Sequence, residues 1–302
     1  MLEILIRAGC YVAIIALVYL LRKKEFLPEA AFGVLSKIVI NITLPAAIIA
    51  STSGKGIDAA MLTVTLLALC CGVANILLAW LLHAGRSREE KAFMVLNTPG
   101  YNIGNFAMPF TQSFLGPLGV VTTSLFDIGN AFICLGGAYG VASVIKDGKG
   151  FSLKHILLAP VRSIPFLTYV LMAILNLIGL SMPDPVVELT QIAGAANPFL
   201  GMLMIGVGFR LSGDRSQVGT IARVLGMRYG LAVVLALCIY FVLPFPLEVR
   251  QTMVLLVFSP FGSAIPAFTE KLGGDVGLSS AINSIGIICS IVIMVTLLVV
   301  ML

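Results

Sequence analysis

The chain has 302 residues, of which 59% are hydrophobic and 11% are charged, whereas an ordinary soluble domain carries roughly 25% charged residues. This composition excludes a soluble fold, because so few polar residues cannot cover so much apolar surface. The net charge of +5 would suit an anionic partner such as nucleic acid, but in a membrane protein a basic excess usually reports orientation.

Hydropathy predicts ten membrane-spanning helices, each of which needs about 20 mostly apolar residues. We interpret the first apolar run as a retained span and not as a signal peptide, because Glu3 spoils the basic segment that would precede it. Little of the chain is left for a soluble domain. The predicted spans are 4–21, 31–50, 59–82, 93–115, 119–144, 157–180, 186–209, 217–243, 251–268 and 277–301.

Lysine and arginine residues predict the orientation, because loops rich in them are cytoplasmic. They cluster after the odd-numbered spans, so we expect a multi-pass protein of the cytoplasmic (inner) membrane with both termini on the outer side. A nucleic-acid partner is not expected. Lys37 and Arg228 lie inside predicted spans, and we expect their side chains to snorkel to the cytoplasmic face; otherwise they could attract an anionic substrate to the inner vestibule. The clustered residues are Arg22, Lys23, Lys24, Arg86, Arg88, Lys91, Lys146, Lys149, Lys154, Arg210, Arg215 and Lys271.

The fourth and fifth spans have an internal repeat in the ninth and tenth. Each half of the chain then holds five spans, an odd number, so the halves cross the membrane in opposite senses, as in many transporters. The predicted fold is an all-α membrane protein of two inverted five-helix repeats, residues 1–148 and 149–302. The pairs aligned at one offset are Pro109 with Pro266, Gly116 with Gly273 and Gly129 with Gly286.

Two of the predicted spans are interrupted by proline and glycine, in the segments 97–109 and 259–266. Proline removes an amide donor, and the freed backbone groups are tolerated in a membrane only where they face protein or a water-filled cavity. The breaks therefore predict a polar cavity, where free amides at helix N-termini favour an anionic ligand. Asn102, Asn105 and Ser263 would add hydrogen bonds. Alternatively, the prolines only kink the helices and the asparagines bridge neighbouring helices.

An acidic residue inside a span is costly and is by default a functional hypothesis. Asp127 is such a residue in the fifth span, where it could carry a proton, help to bind a cation or serve only in packing. Asn130 and Asn283 are the neutral residues expected to support it or its repeat counterpart. Asn41, which precedes Pro45 by one helical turn, could also face the cavity.

These motifs resemble the auxin efflux carrier family in its bacterial form. The motifs are Asn-x-Gly-Asn-x-x-x-Pro in the fourth span, Asp-x-Gly-Asn in the fifth, and two prolines followed by a Gly-Gly-Asp turn in the ninth. The resemblance implies a scaffold domain and a transport domain, with elevator-type movement of a small organic anion bound where the broken helices cross. It implies Pro109 and Pro266 as the crossover prolines. Their implied neighbours at the site are Asn102, Gly104, Asn105, Gly262 and Ser263.

The predicted function is secondary active transport, or uniport, of a small carboxylate. A sodium-coupled symporter of the bile acid type and a non-transporting membrane receptor are the alternatives. An enzyme is not expected, because His83 and His155 lie in predicted loops and no nucleophile lies beside a base.

No cofactor or metal site is expected, because the six cysteines lie in apolar runs without metal-ligand spacing. The expected partners are a small organic anion and membrane lipid. Coupling to protons or sodium, a homodimer, the substrate and the direction of transport are left open.

Overall fold

The structure is a computed structural model that describes residues 2–28, 30–55, 59–148, 153–209 and 217–301. All regular elements in these ranges are helices, as predicted. Three of the basic residues used to predict the orientation, Lys149, Arg210 and Arg215, lie outside the described residues. Lys149 is also the first residue of the predicted second repeat.

Sixteen α-helices follow one another in the described part of the chain. Three π-helical segments, Val39–Thr43, Ile103–Ala107 and Ile133–Gly137, connect α2 to α3, precede α6 and connect α7 to α8. The helices are α1 (Leu2–Lys23), α2 (Ala31–Ile38), α3 (Leu44–Thr52), α4 (Thr63–Leu82), α5 (Arg88–Asn97), α6 (Met108–Phe114), α7 (Pro117–Phe132), α8 (Ala138–Asp147), α9 (Leu153–Leu158), α10 (Ile164–Leu177), α11 (Asp184–Ala195), α12 (Asn197–Gly208), α13 (Val218–Val242), α14 (Leu247–Val257), α15 (Ile265–Lys271) and α16 (Val276–Met301).

Six helical segments of the described chain are long and apolar enough to cross a membrane, and a bent pair, Ile156–Arg162 with Ile164–Leu177, would make a seventh. They coincide with seven of the predicted spans, so the chain is a multi-pass membrane protein. The count of ten remains a prediction, because it also requires α1 and the two interrupted spans. The six segments are Ala31–Thr52, Ala60–Leu82, Pro117–Asp147, Asp184–Gly208, Val218–Val242 and Val276–Met301.

The fourth and ninth predicted spans are broken, as their sequences indicate. The fourth consists of α5, five non-helical residues, a π-helical turn and α6; the ninth consists of α14, a break and α15. Pro266, however, lies in the first turn of α15, where proline is tolerated because its missing N–H would have no helical partner. Pro109 lies inside a continuous helix, at the junction where the π-helical turn Ile103–Ala107 passes into α6. The breaks themselves contain Pro99 and Pro260 instead.

Most helices pack into two groups. In one, α4, α5, α7 and α8 pack with one another and, through α14 and α15, with α13 and α16. In the other, α1 packs on α12, and α3 packs on α10 and α11. Glycines allow close approach within both groups: a Cβ on Gly129 would lie 2.0 Å from the Thr65 carbonyl oxygen, and one on Gly194 would lie 2.7 Å from the Ala47 Cα.

Candidate functional site

The two chain breaks cross each other as extended segments. Tyr101 and Phe261 form an isolated antiparallel β-bridge, and the Asn102 amide donates a hydrogen bond of 2.9 Å to the Pro260 carbonyl. Gly100 has a φ of +84°, which a residue with a side chain rarely adopts. Residues 98–102 and 258–264, which we call the crossover, therefore satisfy part of their backbone by pairing with each other.

Asn130 on α7 binds the backbone of the crossover. Its Oδ1 accepts a hydrogen bond from the Tyr101 N–H at 2.9 Å, and its Nδ2 donates to the Tyr101 carbonyl at 2.8 Å and to Asp127 Oδ1 at 2.9 Å. The side-chain amide of Asn130 thus replaces a neighbouring strand. It also connects the Asp127 carboxylate to the crossover.

Arg228 on α13 lies behind the crossover and is 1% exposed. Its guanidinium donates to the carbonyls of Thr98 at 3.0 Å, Gly100 at 3.1 Å and Ser259 at 3.1 Å. The expectation that Arg228 snorkels is therefore wrong. The two breaks leave three buried carbonyl acceptors inside the helix bundle, and their hydrogen bonds keep the guanidinium away from the membrane surface.

A first cavity of about 170 Å³ lies beside the crossover. Residues from both breaks line it, together with α7, α10 and the π-helical turn before α3. Asp127 is partly exposed to this space, and the Tyr169 ring of α10 borders it. The predicted site residues that line it are Asn102, Gly104, Asn105, Asp127, Asn130, Gly262 and Ser263.

A second cavity of about 480 Å³ shares Asn102 and Ser263 with the first. It lies between the crossover, α12 and α16. Pro266 and Asn283 also line it, and the Asn283 Oδ1 is buried without a hydrogen-bond partner. The crossover is therefore bordered by two cavities, one lined by Asp127 and the other by Glu270 and Asn283.

Asn105 and Ser263 connect the two halves of the site directly. The Asn105 Nδ2 donates to Ser263 Oγ at 3.2 Å, whereas the Asn105 Oδ1 is buried without a partner. The adjacent glycines allow close packing around these groups, since a Cβ on Gly104 would lie 2.8 Å from Leu44 Cδ2, and one on Gly262 would lie 3.2 Å from Cys134 Sγ.

Two predicted site residues do not line either cavity. Pro109 is buried against α12, where a Cβ on Gly201 would approach its Cγ to 3.0 Å. Asn41 is exposed, and its side chain donates to the Lys37 carbonyl at 2.8 Å. Its neighbours Ile40 and Leu44 line the first cavity instead.

The sequence interpretation missed Arg228 and Tyr101 as parts of the site. An arginine near the middle of the 25-residue apolar helix α13 was the available signal for the first. His83 lies in the turn after α4, as predicted, where it is buried and its Nδ1 lies 3.0 Å from the Ala79 carbonyl oxygen. Position 155, by contrast, falls within α9 and not in a loop.

A family model described as a membrane transport protein matches residues 10–143. The matched family is that of the auxin efflux carriers, and the match covers less than half of the chain. The resemblance based on the motifs is thus confirmed, and the chain is a membrane transporter. No curated protein matches it.

The family match includes the first broken span of the transporter. The matched residues include Asn102, Asn105, Asp127 and Asn130. Arg228 and the second break lie beyond them, so their part in the site is supported by their contacts in the structure alone.

Proposed function

We propose that this membrane transporter carries a small organic anion, a carboxylate, across the cytoplasmic membrane by secondary active transport or uniport. The anion would bind at the crossover. An elevator-type movement of the helices that carry the crossover would then expose it to each side in turn.

The observation that carries this proposal is that the first turn of a helix lines the first cavity. The first turn of a helix leaves its N–H groups without intrahelical partners, and these groups carry a partial positive charge. In the helix that begins at Ile103, the residues of that turn include Ile103, Gly104 and Asn105, and all three line the cavity. A carboxylate could accept hydrogen bonds from these amides, as anions commonly do at helix N-termini.

Neutral side chains would complete the site. Asn102 and Ser263 border both cavities, and no Lys or Arg side chain lines either cavity in the described part of the chain. Such a site suits a small anion held by amides and hydroxyls better than a large polyanion. The anion would not have to break a strong ion pair in order to leave.

Asp127 is the residue we propose for coupling. An ionised carboxylate in the same cavity would repel a bound anion, so a proton on Asp127 or a cation beside it would favour binding. Asn130 would couple the charge state of Asp127 to the crossover backbone, because it hydrogen-bonds both Asp127 and Tyr101.

The second cavity suggests the route to the cytoplasm. Its lining includes Ala30, Gly208 and Val276, which border loops that the distribution of Lys and Arg assigns to the cytoplasmic side. With that orientation, the second cavity would form the inner vestibule of the transporter.

The test is uptake of radiolabelled mono- and dicarboxylates into proteoliposomes. Asn105→Leu and Ser263→Leu should each abolish uptake, because leucine removes the polar atoms and fills the cavity. Asn41→Leu is the matched control and should transport like the wild type, since Asn41 is exposed outside both cavities. Normal uptake by both cavity variants would contradict the proposed site.

The same preparation separates the alternatives. Uptake that requires an inward sodium gradient would favour a sodium-coupled symporter of the bile acid type. A carboxylate that raises the thermal stability of the protein but is not translocated would favour a receptor, because ligand binding stabilises the folded state without transport.

A further inference from the structure

Arg228 is placed to serve the backbone of the crossover. The Thr98 and Gly100 carbonyls belong to one chain break and the Ser259 carbonyl belongs to the other, and one guanidinium binds all three. Removal of this side chain would therefore disconnect the two breaks at a point where neither has a regular helical hydrogen bond.

These carbonyls lie just beyond the C-terminal ends of α5 and α14, where a helix carries partial negative charge. Left unpaired, they would attract water or a cation, because unsatisfied backbone groups are costly in the membrane interior. Arg228 occupies them. The negative ends of the broken helices are thus neutralised, while the helical turn that contains Ile103 to Asn105 lines the first cavity.

The charge of Arg228 is not compensated by an ion pair. No carboxylate in the described part of the chain lies within ion-pair distance of it, and the recorded ion pairs join Glu90 to Arg86 and to Arg223. Arginine remains protonated in proteins. Instead, the guanidinium makes favourable cation–π contacts with two aromatic rings. Its Cζ lies 3.9 Å from the centroid of the Tyr101 ring and 5.3 Å from that of the Phe261 ring.

A lysine at position 228 could not bind the carbonyls of both breaks in the same way. The guanidinium is a planar fork whose separate N–H groups reach separate acceptors, whereas an ammonium is a compact point charge. A lysine at this position would keep the positive charge but lose the bridge across both breaks. The two properties can therefore be separated by mutation.

We propose that Arg228 is the positioning residue that joins the two chain breaks and gives the crossover its preference for anions. It acts through the backbone and not by touching the transported molecule. The part that concerns anions rests on the proposed function; the part that concerns the crossover does not.

The first test measures hydrogen–deuterium exchange of peptides covering residues 98–106 and 259–266 in the full-length protein. Arg228→Lys and Arg228→Gln should both speed exchange in these peptides, because the Asn102 amide loses its ordered partner strand. Arg223→Gln is the matched control: it lies on the same helix, and its partner is the exposed Glu90. Unchanged exchange in Arg228→Lys would overturn the positioning role, even if Arg228→Gln failed to fold.

The second test measures charge selectivity with three pairs of probes: butyrate and butyramide, benzoate and benzamide, malate and malamide. A unit charge about 10 Å from the ligand should change its affinity by about tenfold. We expect Arg228→Gln to lower the ratio of carboxylate to amide affinity by about this factor and Arg228→Lys to preserve most of it. An unchanged ratio in Arg228→Gln would overturn the electrostatic role.

The two tests can refute the two parts of the proposal separately. If the wild type binds none of the carboxylates more tightly than its amide, the proposed anion transport and the electrostatic role of Arg228 are both wrong. The exchange experiment still decides whether Arg228 joins the breaks, because it uses no ligand.

Discussion

Replacement of Gly129 by alanine should separate α4 from α7 and thereby disturb the crossover. An added Cβ would lie 2.0 Å from the Thr65 carbonyl oxygen and 3.1 Å from Ala68 Cβ, whereas unstrained heavy-atom contacts lie at about 3.5 Å. The helices would have to move apart by roughly 1.5 Å, because a backbone carbonyl cannot rotate away as a side chain can. Asn130, the next residue, would be displaced from Tyr101.

Overpacking of this kind costs about 1–3 kcal/mol, and the collision with backbone places Gly129→Ala toward the upper end. Alanine recovers up to about 1 kcal/mol through its higher helix propensity. We expect a net loss of about 2 kcal/mol, which corresponds to a fall in Tm of about 3 °C for a chain of this size. Transport should fall further than stability, because the Asn130 contacts lie at the site.

The assay is thermal unfolding of the purified protein in lipid nanodiscs, followed by uptake in proteoliposomes. Gly226→Ala on α13 is the matched control, because nothing lies within 4 Å of its added Cβ; its Tm should equal or exceed that of the wild type. A Gly129→Ala protein with the Tm and uptake of the wild type would refute the argument from close helix packing.

Three further outcomes are expected. Asp127→Asn should flatten the pH dependence of uptake, and a profile like that of the wild type would remove Asp127 from coupling. Gly100→Ala should destabilise the protein, because φ is +84° there and the new Cβ would lie 2.8 Å from Cys134 Sγ; unaltered unfolding would show that the crossover backbone can relax. Reporter fusions should place both termini outside the cytoplasm, and two cytoplasmic termini would contradict the predicted orientation.

The positions of the breaks could be predicted from sequence, because proline and glycine act on their own backbone. Pro99 with Gly100, and Pro260 with Gly262, combine two helix-breaking residues within a few positions of an apolar run. The exact role of each proline could not be predicted in this way. A proline at a break and a proline in the first turn of the next helix, such as Pro266, have the same effect on the hydropathy profile.

Contacts between distant residues were the part that sequence could not supply. Arg228 is separated from Thr98 by more than a hundred positions, and nothing local distinguishes it from an arginine that reaches the membrane surface. The prediction that Asn41 could face the cavity was wrong for a different reason. The π-helical turn Val39–Thr43 changes the rotation of the helix, so a period of 3.6 residues assigns Asn41 to the wrong face.

The three π-helical segments of the described chain all border the first cavity. They contribute Ile40, Ile103 to Asn105, and Cys134 with Leu135 to its wall. A π-turn holds one residue more than the α-turn it interrupts, and such turns occur frequently at functional sites. If that residue passes into the adjoining helix, the side chains it displaces rotate by about 100°. The cavity can therefore exchange the groups on its wall by a local slip in helix register, without bending any helix as a whole.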